Sequence, residues 1–253
     1  MTAPWPVVSG IGLLIGVLSG LFGVGGSSLA TPALALLGVP GVTAVATPLP
    51  ATVPIAAAAS WAYVTRGELN RRVALWSAVG GVPATIAGAL LSRAVGGQAL
   101  LVASGVVLAV VGLRVLRPLS EEEARAGAGR RRRPVVVVGS VAVAGLATGL
   151  LANGGGFLLV PLYLLVLGLP MQTASGTSLV VVAALSVPTL VTHWVLGHID
   201  WAVATALAAG AVPGAVLGSR LAGRVSGAGL QRAFGWLLIA FAVFFVVWQV
   251  AAG

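Results

Sequence analysis

The 253-residue sequence contains no cysteine and no lysine, and only five acidic residues. Without cysteine there is no disulfide, no thiolate metal site and no thiol nucleophile. Charged residues make up 8% of the chain, against about 25% in a soluble globular domain, which excludes an ordinary water-soluble fold. What fills the sequence is apolar: 58% hydrophobic residues and a mean hydropathy of +1.08 describe a polytopic membrane protein. The longest polar stretch is residues 118–133, so there is no room here for an extramembrane catalytic domain. Met1 to Pro6 has no basic segment, and no signal peptide is expected.

Apolar runs of transmembrane length, about 20 residues, cover 7–22, 43–65, 73–92, 98–116, 135–151, 174–196, 202–219 and 230–251. Two shorter runs, 29–37 and 157–167, can cover only about half of a ~30 Å hydrocarbon core at ~1.5 Å per residue. They are expected to be half-helices or one arm of a re-entrant hairpin. Each follows a glycine break: Gly23-Val24-Gly25-Gly26-Ser27-Ser28 in the first half, Ala152-Asn153-Gly154-Gly155-Gly156-Phe157 in the second. Irregular backbone at membrane depth is tolerated only where protein buries it or where it lines a cavity, so paired breaks point to a binding site.

The two halves repeat one another. Pro32 matches Pro161 at an offset of 129, after which the offset settles at 130. Leu37-Gly38-Val39-Pro40 then matches Leu167-Gly168-Leu169-Pro170, Thr47 matches Thr177, Gly67 matches Gly197, Val82-Pro83 matches Val212-Pro213, and Gly105 matches Gly235. This divides the chain into a first transmembrane repeat over 1–117, a basic linker over 118–133 and a second repeat over 134–253.

All 14 basic residues are arginine, and they give a net charge of +9 and a pI near 11.9. They sit in short loops, where they set topology; nucleic-acid binding is not expected. Arg66, Arg71 and Arg72 occupy one loop, whose counterpart 197–201 has no arginine and carries Asp200. In the next loop the bias reverses, with Arg93 against Arg220, Arg224 and Arg232. A charge bias that swaps between halves is the signature of inverted-topology repeats. Arg114, Arg117, Arg125 and Arg130 to Arg133 make the linker cytoplasmic, and both termini are then expected outside. The fold expected is an all-α polytopic integral membrane protein of two inverted-topology repeats. Each has about four long transmembrane helices plus a short broken or re-entrant half-helix.

The segments Gly-Leu-Phe-Gly-Val-Gly-Gly and Gly-Leu-Leu-Ala-Asn-Gly-Gly-Gly, each leading into a proline-containing half-helix, resemble the sulfite exporter TauE/SafE family of bacterial membrane permeases. The resemblance covers essentially the whole chain. It implies export or uptake of small anions in the bacterial cytoplasmic membrane, with sulfite, sulfoacetate and other organosulfonates as the substrate classes. It does not transfer a particular substrate.

The residues at the breaks suit an anion. A half-helix N-terminus offers free N–H groups and about +0.5 of partial charge, beside the hydroxyls of Ser27 and Ser28. Asn153 and Gly154 to Gly156 add an amide and closely approachable backbone in the other half. The expected binding residues are therefore Gly25, Gly26, Ser27, Ser28, Thr47, Asn153, Gly154, Gly155, Gly156, Ser175, Thr177 and Ser178. For Thr47 and the hydroxyls at 175–178, bonding across helices or to their own backbone is an equally good reading. Gly12, Gly16 and Gly20, and Gly210, Gly214 and Gly218, recur every four residues and are assigned to close helix packing. Such faces serve within a protomer or in a homodimer alike. Pro48, Pro50 and Pro54 should kink or loosen the 43–65 helix. Glu68 and Asp200 are read as neutralising or capping residues, and His193 and His198 as interfacial.

No apolar run holds Asp, Glu or Lys near its centre, so coupling through a buried carboxylate is unsupported. The same inventory offers no nucleophile with a base and no metal cluster. The chain is expected to be no enzyme and to need no cofactor or metal. A transporter of small anions working by alternating access leads; an anion channel of the same architecture is the alternative, and a membrane-embedded enzyme a weaker one. Small anion and membrane lipid are the expected partners.

Overall fold

A computed structural model describes residues 4–39, 41–91, 109–117, 126–127, 129–130, 133–150 and 156–252. These residues are helical with connecting turns, and no strand occurs among them. The helices are α1 (Trp5–Phe22), α2 (Gly26–Leu36), α3 (Gly41–Ala46), α4 (Leu49–Thr65), α5 (Arg71–Leu91), α6 (Pro134–Leu150), α7 (Gly156–Leu165), α8 (Met171–Val195), α9 (Trp201–Ala222) and α10 (Gly227–Ala252). Residues 109–116 are also helical; the rest of the run expected over 98–116 lies outside the described residues.

Five of these spans are long and apolar enough to cross a membrane: Trp5–Phe22, Val42–Thr65, Met171–Val195, Trp201–Ala222 and Gly227–Phe244. α5 has 21 residues, sufficient length, but is the least apolar of the long helices because two arginines open it and glycine and proline interrupt it. The short runs are half-helices: α2 has 11 residues and α7 has 10, about 15 Å of rise each.

One expected helix is two. The 43–65 run turns at Thr47 and Pro48, separating α3 from α4. Pro48 has no N–H to continue the α3 ladder, and Pro50 lies in the first turn of α4, where its missing donor costs nothing. At the equivalent place in the second half stand Ser178, Leu179 and Val180, and α8 runs unbroken for 25 residues.

Packing is exchanged between the halves. α1 lies along α9, and its counterpart α6 lies along α5, the counterpart of α9. α4 packs on α9 and α8 on α5 in the same reciprocal way, while α4 and α8 meet each other. Glycines set these approaches. A Cβ on Gly210 would collide with the Ser9 carbonyl, and one on Gly80 with the Val138 carbonyl, 129 residues along. A Cβ on Gly16 would strike Ala211 O, and one on Gly145 would strike Gly81 O. Gly12, Gly20, Gly214 and Gly218 likewise admit backbone of the opposite helix, so the four-residue glycine rows are packing faces within this chain.

Candidate functional site

α1 ends inside the protein, and each of its closing carbonyls lies within hydrogen-bond distance of a donor, two of them sharing one hydroxyl. Gly23, at φ 73°, turns the chain so that its N–H donates to Ser19 O at 2.8 Å. The hydroxyl of Tyr63, in the last turn of α4, lies 2.8 Å from Gly20 O and 3.0 Å from Leu21 O. Ser175 on α8 donates its hydroxyl to Phe22 O at 3.1 Å. A helix can stop at membrane depth only when these groups are satisfied internally, and here three helices cooperate to do so.

The next helix begins differently. Its N-cap is Gly25, at φ 81°, a conformation that glycine adopts without penalty and that leaves no side chain to cap the first turn. The first-turn N–H groups of α2 have no acceptor within the helix. Gly26, Ser27 and Ser28 form that turn and are buried; Ser27 is 3% exposed, and its Oγ has no hydrogen-bond partner among the described residues. The site therefore has a closed carbonyl end and an N–H end that its own N-cap residue, Gly25, does not cap.

α8 faces this break along one stripe. A Cβ on Gly23 would meet the backbone of Ser175, and one on Gly25 would meet Val182 Cγ1. Ser178 lies between those contacts at the i, i+3, i+7 spacing of one helix face, fully buried, and its Oγ too is unpartnered among the described residues. Ile55 of α4 closes the side at Gly26.

The other expected hydroxyls are engaged. Thr47 Oγ1 accepts the Asp200 N–H at 3.2 Å, and Thr177 Oγ1 accepts the Asn70 N–H at 3.1 Å. Both threonines are fully buried. Asp200 caps α9, accepting from the N–H groups of Ala202 and Val203 at 3.0 and 3.1 Å; Asn70 Oδ1 accepts from Val73 at the start of α5. The two repeats thus hold each other's caps. Asn153, Gly154 and Gly155 lie outside the described residues, and Gly156 is the first residue of α7.

Sequence reasoning missed Tyr63 and Asn70, whose partners are remote in the chain. It also missed the buried hydroxyls of Ser19 and Thr85, unpartnered among the described residues, and those of Ser77 and Tyr163, buried neighbours whose geometry falls short of a hydrogen bond. Glu68 does neutralise, pairing with Arg66 at 2.8 Å. His193 and His198 approach through their Nδ1 atoms at 3.2 Å, at the end of α8 and in the loop after it. No group of three or more His, Asp or Glu residues among the described ones could hold a metal ion.

The chain is 34% identical over 255 residues to a probable membrane transporter protein of Xylella fastidiosa strain 9a5c, covering 96% of this chain and 95% of that protein. The corresponding protein of strain Temecula1 is also 34% identical, over 256 residues. The probable membrane transporter protein YunE of Bacillus subtilis strain 168 is 25% identical over 224 residues, 79% of this chain and 82% of that one. No solved structure matches the chain significantly. Residues 8–245 match the family described as Sulfite exporter TauE/SafE, and with the multi-pass helical fold this makes the chain a member of that family of membrane transporters.

Proposed function

We propose that this transporter moves a small anion, namely sulfite, an organosulfonate or a related sulfur compound, across the bacterial cytoplasmic membrane by alternating access. The observation that carries the reading is the α1–α2 break: the carbonyl end is satisfied by Tyr63 and Ser175, while the N–H end has no cap from its N-cap residue Gly25 and is flanked by the hydroxyls of Ser27 and Ser178, unpartnered among the described residues. Uncapped N–H groups at a buried helix N-terminus favour negative charge. In this reading Gly25, Gly26, Ser27, Ser28 and Ser178 bind the anion, and Asn153 and Gly154 to Gly156 form the matching half-site. Thr47, Ser175 and Thr177 hold the frame.

The reciprocal packing of α1 on α9 and α6 on α5 supports two inverted repeats, residues 1–117 and 134–253, joined by a cytoplasmic linker over 118–133 with both termini outside. Alternating access is then the rocking of one repeat against the other around a fixed site, without catalysis.

The test is flux in proteoliposomes of the full chain. Saturable sulfite or methanesulfonate uptake with counterflow, lost in Ser27→Leu, is expected; conduction without counterflow would point to a channel, and unchanged flux in Ser27→Leu would overturn the site.

A further inference from the structure

The α2 site is built without charge. Residues 1–65 contain no Arg, Lys, Asp or Glu, and neither do residues 134–199. Those stretches supply α1, α2, α4 and α8, which together surround the break. The loop after α4 carries Arg66, where Glu68 O and Tyr63 approach α8 at Gly176. The Arg66 guanidinium already has a carboxylate at 2.8 Å and lies over the Tyr63 ring at 4.7 Å. On α9 and α10, Arg220 follows Ser219, which a Cβ on Gly20 would meet, and Arg232 lies two residues from Phe234, which packs on Phe22, but both arginines are exposed. Along α8, Ser178 is 15 residues from His193, about 22 Å of helix.

Binding at this site therefore draws on helix N-termini, about +0.5 of partial charge each, and on hydroxyl dipoles, with no full positive charge. The desolvation cost of an ion grows with the square of its charge, and a buried charge without a counter-charge is expensive. A monoanion can be compensated by such a set; a second charge would face no buried cation among the described residues. Resting on the anion-site reading above, we propose that the site is selective for singly charged oxyanions, monosulfonates and bisulfite, over doubly charged ones such as sulfate and the sulfite dianion. The unpartnered Ser27 and Ser178 hydroxyls serve as neutral donors, which suits an oxygen-rich monoanion.

The experiment is ligand-induced thermal stabilisation of the purified full chain by methanesulfonate, sulfate and sulfite, the last titrated on either side of the second dissociation of sulfurous acid. Methanesulfonate keeps one charge throughout, so it reports any titration of His193 or His198 separately from titration of the ligand. The expected result is a preference of about tenfold or more for methanesulfonate over sulfate, with sulfite binding weakening in step with loss of its proton. Ser178→Ala should weaken methanesulfonate about tenfold, and Ser27→Ala serves the same purpose should Ser178→Ala fold poorly. Sulfate binding as tightly as methanesulfonate, or sulfite binding better as the dianion, would overturn the charge selectivity and leave the anion site standing. Stabilisation by neither charge class would overturn the anion site itself, and this inference with it.

Discussion

The backbone N–H of Asp200 donates to Thr47 Oγ1 at 3.2 Å, and 130 residues away on each side the N–H of Asn70 donates to Thr177 Oγ1 at 3.1 Å. Each repeat contributes a buried threonine that receives the capping residue of the other repeat's helix. The Thr47 bond reaches the turn between α3 and α4, where the second half has the unbroken α8 instead.

Replacing either threonine with valine keeps the shape and removes the acceptor. Thr47→Val and Thr177→Val should each lower unfolding stability in detergent by about 1–2 kcal/mol, while the serine variants retain most of it. Valine variants as stable as the parent would show that these bonds contribute nothing.

Tyr63→Phe strips the donor from the Gly20 and Leu21 carbonyls, and Ser175→Ala strips it from Phe22. Each loss should cost about 1–3 kcal/mol, with the tyrosine the larger because two carbonyls share its hydroxyl. Thermal unfolding of the two single variants and the double variant checks this, and an unaffected Tyr63→Phe protein would refute the capping role.

The glycine rows allow a prediction of sign. Gly16→Ala and Gly210→Ala drive a methyl into the Ala211 and Ser9 carbonyls, and should destabilise by about 1–3 kcal/mol or more. Gly10→Ala and Gly139→Ala, where a Cβ meets open space, should be neutral or stabilising by up to ~1 kcal/mol. Melting temperatures of the four proteins decide it; equal effects in both pairs would mean that α1 and α9 do not approach so closely.

At the helix starts, Asp200→Ala and Asn70→Ala should each cost about 1 kcal/mol, and Asp200→Asn should restore most of the loss. Hydrogen exchange at Ala202 and Val203 is the local readout, since their amides should lose protection in Asp200→Ala and not in Thr205→Ala, whose hydroxyl bonds only carbonyls of its own helix.

Much of this was legible in the sequence because it is local. A run of nine apolar residues, 29–37, between a glycine break and a turn is a half-helix whatever surrounds it, and α2 begins within three residues of the expected place. Proline 48 marked a disturbance, although not its outcome as a full turn, since a proline-bearing helix can equally kink and continue, as α9 does through Pro213. Tyr63 gave no signal at all: a tyrosine near a helix end in an apolar run reads as an interfacial ring, and its partners lie 42 and 43 residues away.

By itself the sequence determined the membrane class, the helical content, the internal repeat and the position of the α1–α2 break, because hydropathy, proline and glycine act through the few residues on either side of them. Only the tertiary structure decided which hydroxyls are engaged and which are left over. Thr47, Thr177 and Ser175 on one side, and Ser27 and Ser178 on the other, are the same chemistry in the same kind of helix. What separates them is whether the opposite repeat brings a backbone N–H or carbonyl within about 3 Å, and that depends on chain folding across more than a hundred residues.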